Sequence, residues 1–322
     1  MATQPEALEN GYDEFYAGMV ANRLIIPGGV DGAFGRGAVF ERVLTAFDAL
    51  IGRISAADNA EMCTFPPVID RRILERVNYM DSFPDLCGAV HSFVGKEREA
   101  RELSETIKAG KPWGDRLQMT QVALNPAACY PLYPTLSGTI GEEGRLVTML
   151  NWVFRHEPSR EPTRMQSFRV REFVRVGDVD SVVKWRDMWL DRGVEVLRSL
   201  GLEANPDVAS DPFFGRGGKM MAATQKEQKL KYEVLVPVNS VEKPTAVCSF
   251  NFHHQHFGET FHILNPNGEA ANTACLGFGL ERVTMALFKR HGFDPETGWE
   301  ILMDVPPYGV LLSAAAVERG VL

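Results

Sequence analysis

No C-x-x-C pair occurs in this sequence, and its five cysteines (Cys63, Cys87, Cys129, Cys248 and Cys275) are odd in number and scattered. Such a set gives neither a disulfide framework nor a zinc finger, and a reducing, cytoplasmic setting is the expectation. No apolar stretch approaches the ~20 residues that span a bilayer, so no membrane is expected. Basic residues are in deficit: 34 Lys and Arg against 42 Asp and Glu leave a net charge of −8, which argues against non-specific attraction to nucleic acid. The opening MATQPEALENGYDEFY is acidic and lacks the basic-then-apolar run of a signal peptide. No repeat, low-complexity block or linker divides the chain, so residues 1–322 are expected to form one domain. What is present suits a globular protein with a substantial core: 45% of residues are hydrophobic and 24% charged.

The patterning alternates between two periods. VFERVLTAFDALIGRI puts Phe40, Val43, Leu44, Phe47, Leu50, Ile51 and Ile54 on one face of a long helix. A short apolar stretch follows, ending in Pro66-Pro67. KEREARELSETI (96 to 107) reads as a charged, exposed helix. RLVTMLNWVFR predicts a strand, HEPSREPT a loop, and RMQSFRVREFVRV the returning strand. Asp178 caps a helix that gathers Val182, Trp185, Trp189, Val196 and Leu200 and stops at Gly201. LKYEVLVPV and TAVCSFNF predict two more strands, and Leu280, Val283, Leu287 and Phe288 mark a last helix. Strands in adjacent pairs, rather than alternating with helices, point to an α+β fold with an antiparallel sheet and helices against it.

Two short motifs carry chemistry. In FRHE, strand alternation puts Arg155 and Glu157 on one side, suiting a phosphate and an adenine amine, although taken alone the pair reads better as a surface salt bridge on a strand end. In CLGFGLERV, Gly277 and Gly279 allow close backbone approach and open a helix whose first turns hold Arg282. A lone G-x-G is more often a packing turn.

The order of these pieces is more specific. A long helix, a short strand and a proline come first. Strand, F-R-x-E, loop and strand follow, and G-x-G-x-x-R opening a helix comes last. This resembles motifs 1, 2 and 3 of the class II aminoacyl-tRNA synthetases, over roughly residues 36 to 292. The resemblance implies an antiparallel sheet flanked by helices, a homodimer joined through motif 1, and a bent ATP. By motif position, Arg155 would hold the α-phosphate, Glu157 the adenine amine and Arg282 the γ-phosphate, with Phe173 stacked on the adenine.

Within that class, Cys129, Glu172 and Cys275 are similar to the Cys, Glu, Cys set of the atypical, zinc-dependent seryl-tRNA synthetases, which implies one Zn²⁺ per subunit. Each cysteine alone reads as a small buried apolar residue. His253, His254 and His256 in FHHQHF lack a partner cluster and read as hydrogen-bonding or surface residues. Two thiolates and a carboxylate would suit a site that binds the α-amino group of an amino acid, placing Glu172 and Cys275 beside that substrate. The helix feeding motif 1 starts near residue 36, leaving no room for a long tRNA-binding arm, and only about thirty residues follow the motif 3 helix. The whole chain is thus similar to the amino acid:carrier-protein ligases, truncated relatives of those enzymes. They form an aminoacyl adenylate of a small amino acid, glycine or alanine, and pass it to the phosphopantetheine thiol of a carrier protein without tRNA. Mg²⁺ would accompany ATP. The glutamate that standard seryl enzymes use for it is absent from TAVCSFN, and Ser249 or Glu233 would share the duty. Gly177 stands where those enzymes have a second carboxylate. The helices 96 to 107 and 179 to 201 are candidate carrier-docking faces or solvated surfaces. A minimal seryl-tRNA synthetase would need a basic tract, which is lacking, and a non-catalytic paralogue would tend to lose Arg155 and Arg282, which are present.

Overall fold

Period-two patterning gives a seven-stranded sheet in a computed structural model of the chain, which describes residues 4–295. Its strands are β1 (Glu61–Cys63), β2 (Arg145–Phe154), β3 (Ser167–Gly177), β4 (Asn205–Val208), β5 (Lys231–Val236), β6 (Thr245–Phe252) and β7 (Asn272–Gly279). In space they run β4-β5-β6-β7-β3-β2-β1. All neighbours are antiparallel except β1, which lies parallel to β2 at the edge. The expected α+β architecture is therefore present. The strand after the first long helix joins this sheet as a three-residue edge. The stretch read as too short for an appended domain lies, from residue 296 on, outside the described residues.

Three helices carry the period-3.6 stripes: α1 (Ala38–Ile54), α2 (Val179–Ser199) and α3 (Leu280–His291). The seven apolar residues expected on one face of α1 are all buried. Asp178 caps α2, its carboxylate accepting from the Ser181 N–H at 2.9 Å. These helices cover one face of the sheet, here the back. Phe173 of β3 stacks on Trp189 of α2 with ring centroids 5.2 Å apart, and Phe278 of β7 meets Phe47 of α1 edge-on at 5.9 Å. Gly193 lets α2 sit close to β6, because a Cβ there would stand 2.8 Å from the Phe250 ring. Burying each such side chain contributes about 1.5–3 kcal/mol.

Ion pairs lock the back face as well. Arg169 of β3 grips Glu41 of α1 with both terminal nitrogens at 2.7 Å. Its backbone N–H and Nε donate to Glu281 of α3 at 2.8 and 3.0 Å. Arg36 reaches the same fully buried Glu281 carboxylate at 3.4 Å, and the Trp152 ring lies beside both guanidiniums. Removing one partner of so buried a group leaves a charge uncompensated, at a cost of about 3–5 kcal/mol.

Several elements lie outside the sequence expectations. They include the helix Gln4–Ala21, the hairpin Ile25–Val30 with Ala33–Arg36, and a three-stranded sheet of Val68–Asp70, Gln118–Leu124 and Ala89–Ser92. The expected charged helix, Glu97–Lys108, buries none of its residues.

Candidate functional site

The front face of the sheet is not covered by those helices, and alternation decides which side chains reach it. Glu172 pairs with Gly277, Gly277 with Ser249, and Ser249 with Glu233, giving one row across four strands. The adjoining row is Val174, Cys275, Asn251 and Lys231. Segment 126–130 roofs the cleft, and Phe257, from the short helix His256–Phe261, lines it too. The cleft has a volume of about 230 Å³ and is open to solvent at its mouth.

Two arginines enter this cleft. Arg155 follows directly on β2, its Nε donating to the Pro126 carbonyl at 3.3 Å. Arg282 lies in the first turn of α3, with Nε on the Thr163 carbonyl at 2.9 Å and Nη1 on the Ala246 carbonyl at 3.0 Å. Their guanidinium carbons lie 5.8 and 5.6 Å from the centroid of the Phe168 ring. Among the described residues neither arginine is in an ion pair, although burial, then the like charge of Arg155, push Arg282 below its ordinary value. Two cations in one cleft, neither ion-paired among the described residues, form an anion site.

Cys129, Glu172 and Cys275 also converge. A ligand atom from each lies within 4.8 Å of the other two, and all three residues are buried. Ligands about 2.0–2.3 Å from one tetrahedral ion stand roughly 3.3–3.8 Å apart, so groups within 4.8 Å of one another are near enough to close on one zinc ion and leave a fourth position for substrate. Without a cation all three groups are shifted toward their protonated forms. Its contact with Cys275, then burial, push the Cys129 thiol well above its ordinary value. Burial raises Glu172. In Cys275 the contact with Cys129 acts downward, but burial and Glu172 outweigh it. Two thiols and a carboxyl, all buried and close enough to share an ion, fit Zn²⁺.

A charged group sits at the end of the second row. Lys231 bonds Asp211 at 2.7 Å and Glu233 at 2.9 Å, and Gln225 holds Asp211 through its backbone N–H and its carboxylate. Burial alone would lower Lys231 and raise Asp211, but their attraction wins, and Lys231 stands above and Asp211 below the ordinary value.

Other expected site residues fall differently. Phe173 does not face the cleft: it neighbours Glu172 in sequence, so alternation sends it to the back, 1% exposed against Trp189. The assignment of Phe173 to adenine stacking is therefore corrected. Phe168, of the same parity as Glu172, is the aromatic ring beside the arginines. Glu157 lies past the strand, ion-paired with Arg164 at 2.8 Å, and is not among the cleft-lining residues. Gly277 is mid-strand, and only Gly279 caps α3. His253 is half-buried, and desolvation, then His256, push it down to about 3, so its ring is neutral at neutral pH. Counting parity along β3 finds Phe168, whereas the inward course of loop residue Asp211 has no comparable sequence signal.

No family model matches the chain. Amino acid:acyl-carrier-protein ligase 2 of Bradyrhizobium diazoefficiens is 44% identical over 303 residues, covering 94% of this chain and 89% of that relative. The chain belongs to the amino acid:acyl-carrier-protein ligases. Ligase 1 of the same organism is 42% identical over 277 residues, 85% of each chain. More distantly, the type-2 serine–tRNA ligase of Methanopyrus kandleri is 25% identical over 282 residues, 80% of this chain and 53% of that one. The solved SerRS of M. kandleri, in complex with A. aeolicus tRNASec, superimposes with a TM-score of 0.73 at 21% identity, over 90% of this chain and 57% of that one. The ligase thus has the class II aminoacyl-tRNA synthetase fold, and its cleft occupies the face of that sheet opposite α1, α2 and α3.

Proposed function

We propose that this chain activates a small amino acid, glycine or alanine, with ATP and transfers it to the phosphopantetheine thiol of a carrier protein. The observation that carries this reading is the pair of arginines, Arg155 and Arg282, meeting at Phe168 with no carboxylate partner, in the same cleft as Cys129, Glu172 and Cys275. Family membership supports the same conclusion.

In this reading Arg155 takes the α-phosphate, Arg282 the γ-phosphate, and Phe168 offers its ring to the adenine. Glu157 accepts from the adenine amine once Arg164 gives way. Glu233 and Ser249, cross-strand neighbours, hold Mg²⁺ with ATP. Cys129, Glu172 and Cys275 hold Zn²⁺, which when bound supplies a Lewis-acid anchor for the substrate amine. An amino-acid carboxylate oxygen attacks the α-phosphorus, and the bond to the pyrophosphate oxygen breaks. Arg155 offsets the charge that develops there. The carrier sulfur, having lost its proton, then attacks the aminoacyl carbonyl carbon. The carbon–oxygen bond to AMP breaks and a thioester forms. A homodimer joined along the α1–β1 edge, where Met62 is 68% exposed, a cytoplasmic location and independence from tRNA complete the reading.

Mass spectrometry of a phosphopantetheinylated carrier protein tests it, after incubation with the enzyme, ATP and each small amino acid in turn. A mass increase of one glycyl or alanyl group, removed by thiol exchange, is expected. Charging of bulk tRNA with no carrier product would overturn it.

A further inference from the structure

His253 lies just beyond β6, and its backbone N–H donates to the Thr273 carbonyl at 2.9 Å. That places Asn251 and His253 along one side of β7, facing Cys275 and Thr273. The Asn251 amide nitrogen is 3.4 Å from the Cys275 sulfur, and His253 Nε2 is 3.6 Å from it. On the other side of the ring, His253 Nδ1 is 3.0 Å from the Thr273 hydroxyl. Phe257 packs edge-on to the imidazole at 5.0 Å, so the ring is held in place.

The hydroxyl decides which nitrogen carries the proton. Thr273 is fully buried, and among the described residues its hydroxyl has no hydrogen-bond partner except His253 Nδ1. If Nδ1 carried the proton, the hydroxyl would accept and leave its own hydrogen unpaired in the interior. That disfavours the arrangement by roughly 5- to 150-fold. The hydroxyl therefore donates to Nδ1, and Nε2 carries the hydrogen that points to the Cys275 sulfur.

We propose that Thr273, acting through His253, and Asn251 are positioning residues that hold the Cys275 sulfur for a bound cation. A cysteine sulfur ligating a metal keeps lone pairs that water cannot reach in this buried site. Two N–H groups meet them and fix the direction of the remaining one. Outer partners of this kind typically govern metal affinity. The inference rests on the reading of Cys129, Glu172 and Cys275 as a zinc site.

The test uses the full chain, loaded with zinc in competition with a chromogenic chelator. A second measurement follows the thiolate-to-cobalt charge-transfer band after Co²⁺ substitution. Thr273→Val keeps the shape of the side chain and removes the donor. It is expected to weaken zinc binding roughly 10- to 100-fold and to shift the cobalt band. Thr273→Ser keeps the donor and restores both. Asn251→Leu lowers affinity by removing the other N–H, and it stands as the test if Thr273→Val melts near room temperature. Wild-type zinc affinity and an unchanged band in the folded variants would overturn the inference. Cys275→Ser separates the two levels. If it loses zinc while Thr273→Val and Asn251→Leu keep it, only the positioning role fails. If it also keeps zinc, the metal site itself fails.

Discussion

Phe168 and Phe173 are five residues apart on one strand, and the structure assigns them opposite roles that a pair of alanine substitutions separates. Phe173 is 1% exposed and stacked on Trp189 at 5.2 Å, so Phe173→Ala leaves a cavity that costs about 3–5 kcal/mol. With about 2.1 cal/mol/K of unfolding entropy per residue over 322 residues, Tm falls by roughly 4–7 °C. Phe168 lies beside Arg155 and Arg282 on the cleft side. Stacking of a base on an aromatic ring is worth about 1–3 kcal/mol, so Phe168→Ala raises the KM for ATP roughly 5- to 150-fold. Amino-acid-dependent exchange between pyrophosphate and ATP, run beside thermal melts, reads both quantities. Phe173→Ala should melt early and keep its KM, whereas Phe168→Ala should show the KM effect whatever its melt. A wild-type KM in Phe168→Ala, or a raised KM in Phe173→Ala at unchanged Tm, refutes the assignment of faces.

Arg282→Ala should lower the exchange rate about 10²- to 10³-fold while melts stay close to wild type; wild-type kinetics would remove it from the site. Cys275→Ser should reduce zinc content and amino-acid activation together, and full activation in zinc-free protein would defeat the amine-anchor role. Dialysis against a strong chelator should abolish exchange, and added Zn²⁺ but not Mg²⁺ should restore it. Lys231→Met strands Asp211 and Glu233 beside an apolar group and should cost about 3–5 kcal/mol, seen as a lower Tm at neutral pH. Because the folded Asp211 lies below its ordinary value, its stabilisation is present above about pH 4 and lost as pH falls through the folded value. Lys231 stands above its ordinary value, so its share is present below about pH 10 and lost as pH rises further. The gap in Tm between wild type and Lys231→Met should therefore close below about pH 4; a gap that persists in acid would show that the pair is not its source.

The sequence is most legible where periodicity does the work. The stripe of α1 and the alternation of β2 and β3 are set by local burial, and local burial leaves its mark on spacing. Arg155 and Arg282 could be picked out because each adjoins a recognisable strand end or strand-to-helix turn. Motif position alone assigns Phe173 to the adenine, but the pleat, which sends neighbours to opposite faces, turns it away from the side that Glu172 occupies. The sheet of Val68–Asp70, Gln118–Leu124 and Ala89–Ser92 left little signal, since its strands are short and largely exposed. Asp211 left none. It sits in a polar loop, and only the folded course of the chain brings it to Lys231. His253 stood among three histidines of similar aspect, and its partner Thr273 is 20 positions away.

Glu281 and Arg282 are consecutive, yet one belongs to the clamp behind the sheet and the other to the cleft in front. The aim of the cleft arginine is thus fixed from behind, by Glu41, Arg169 and Arg36. Whatever loosens the seating of α1, a change at its far surface included, will be felt at the nucleotide end as a misdirected guanidinium, with every cleft residue intact. Damage to catalysis in this chain can therefore originate in residues that no ligand ever touches.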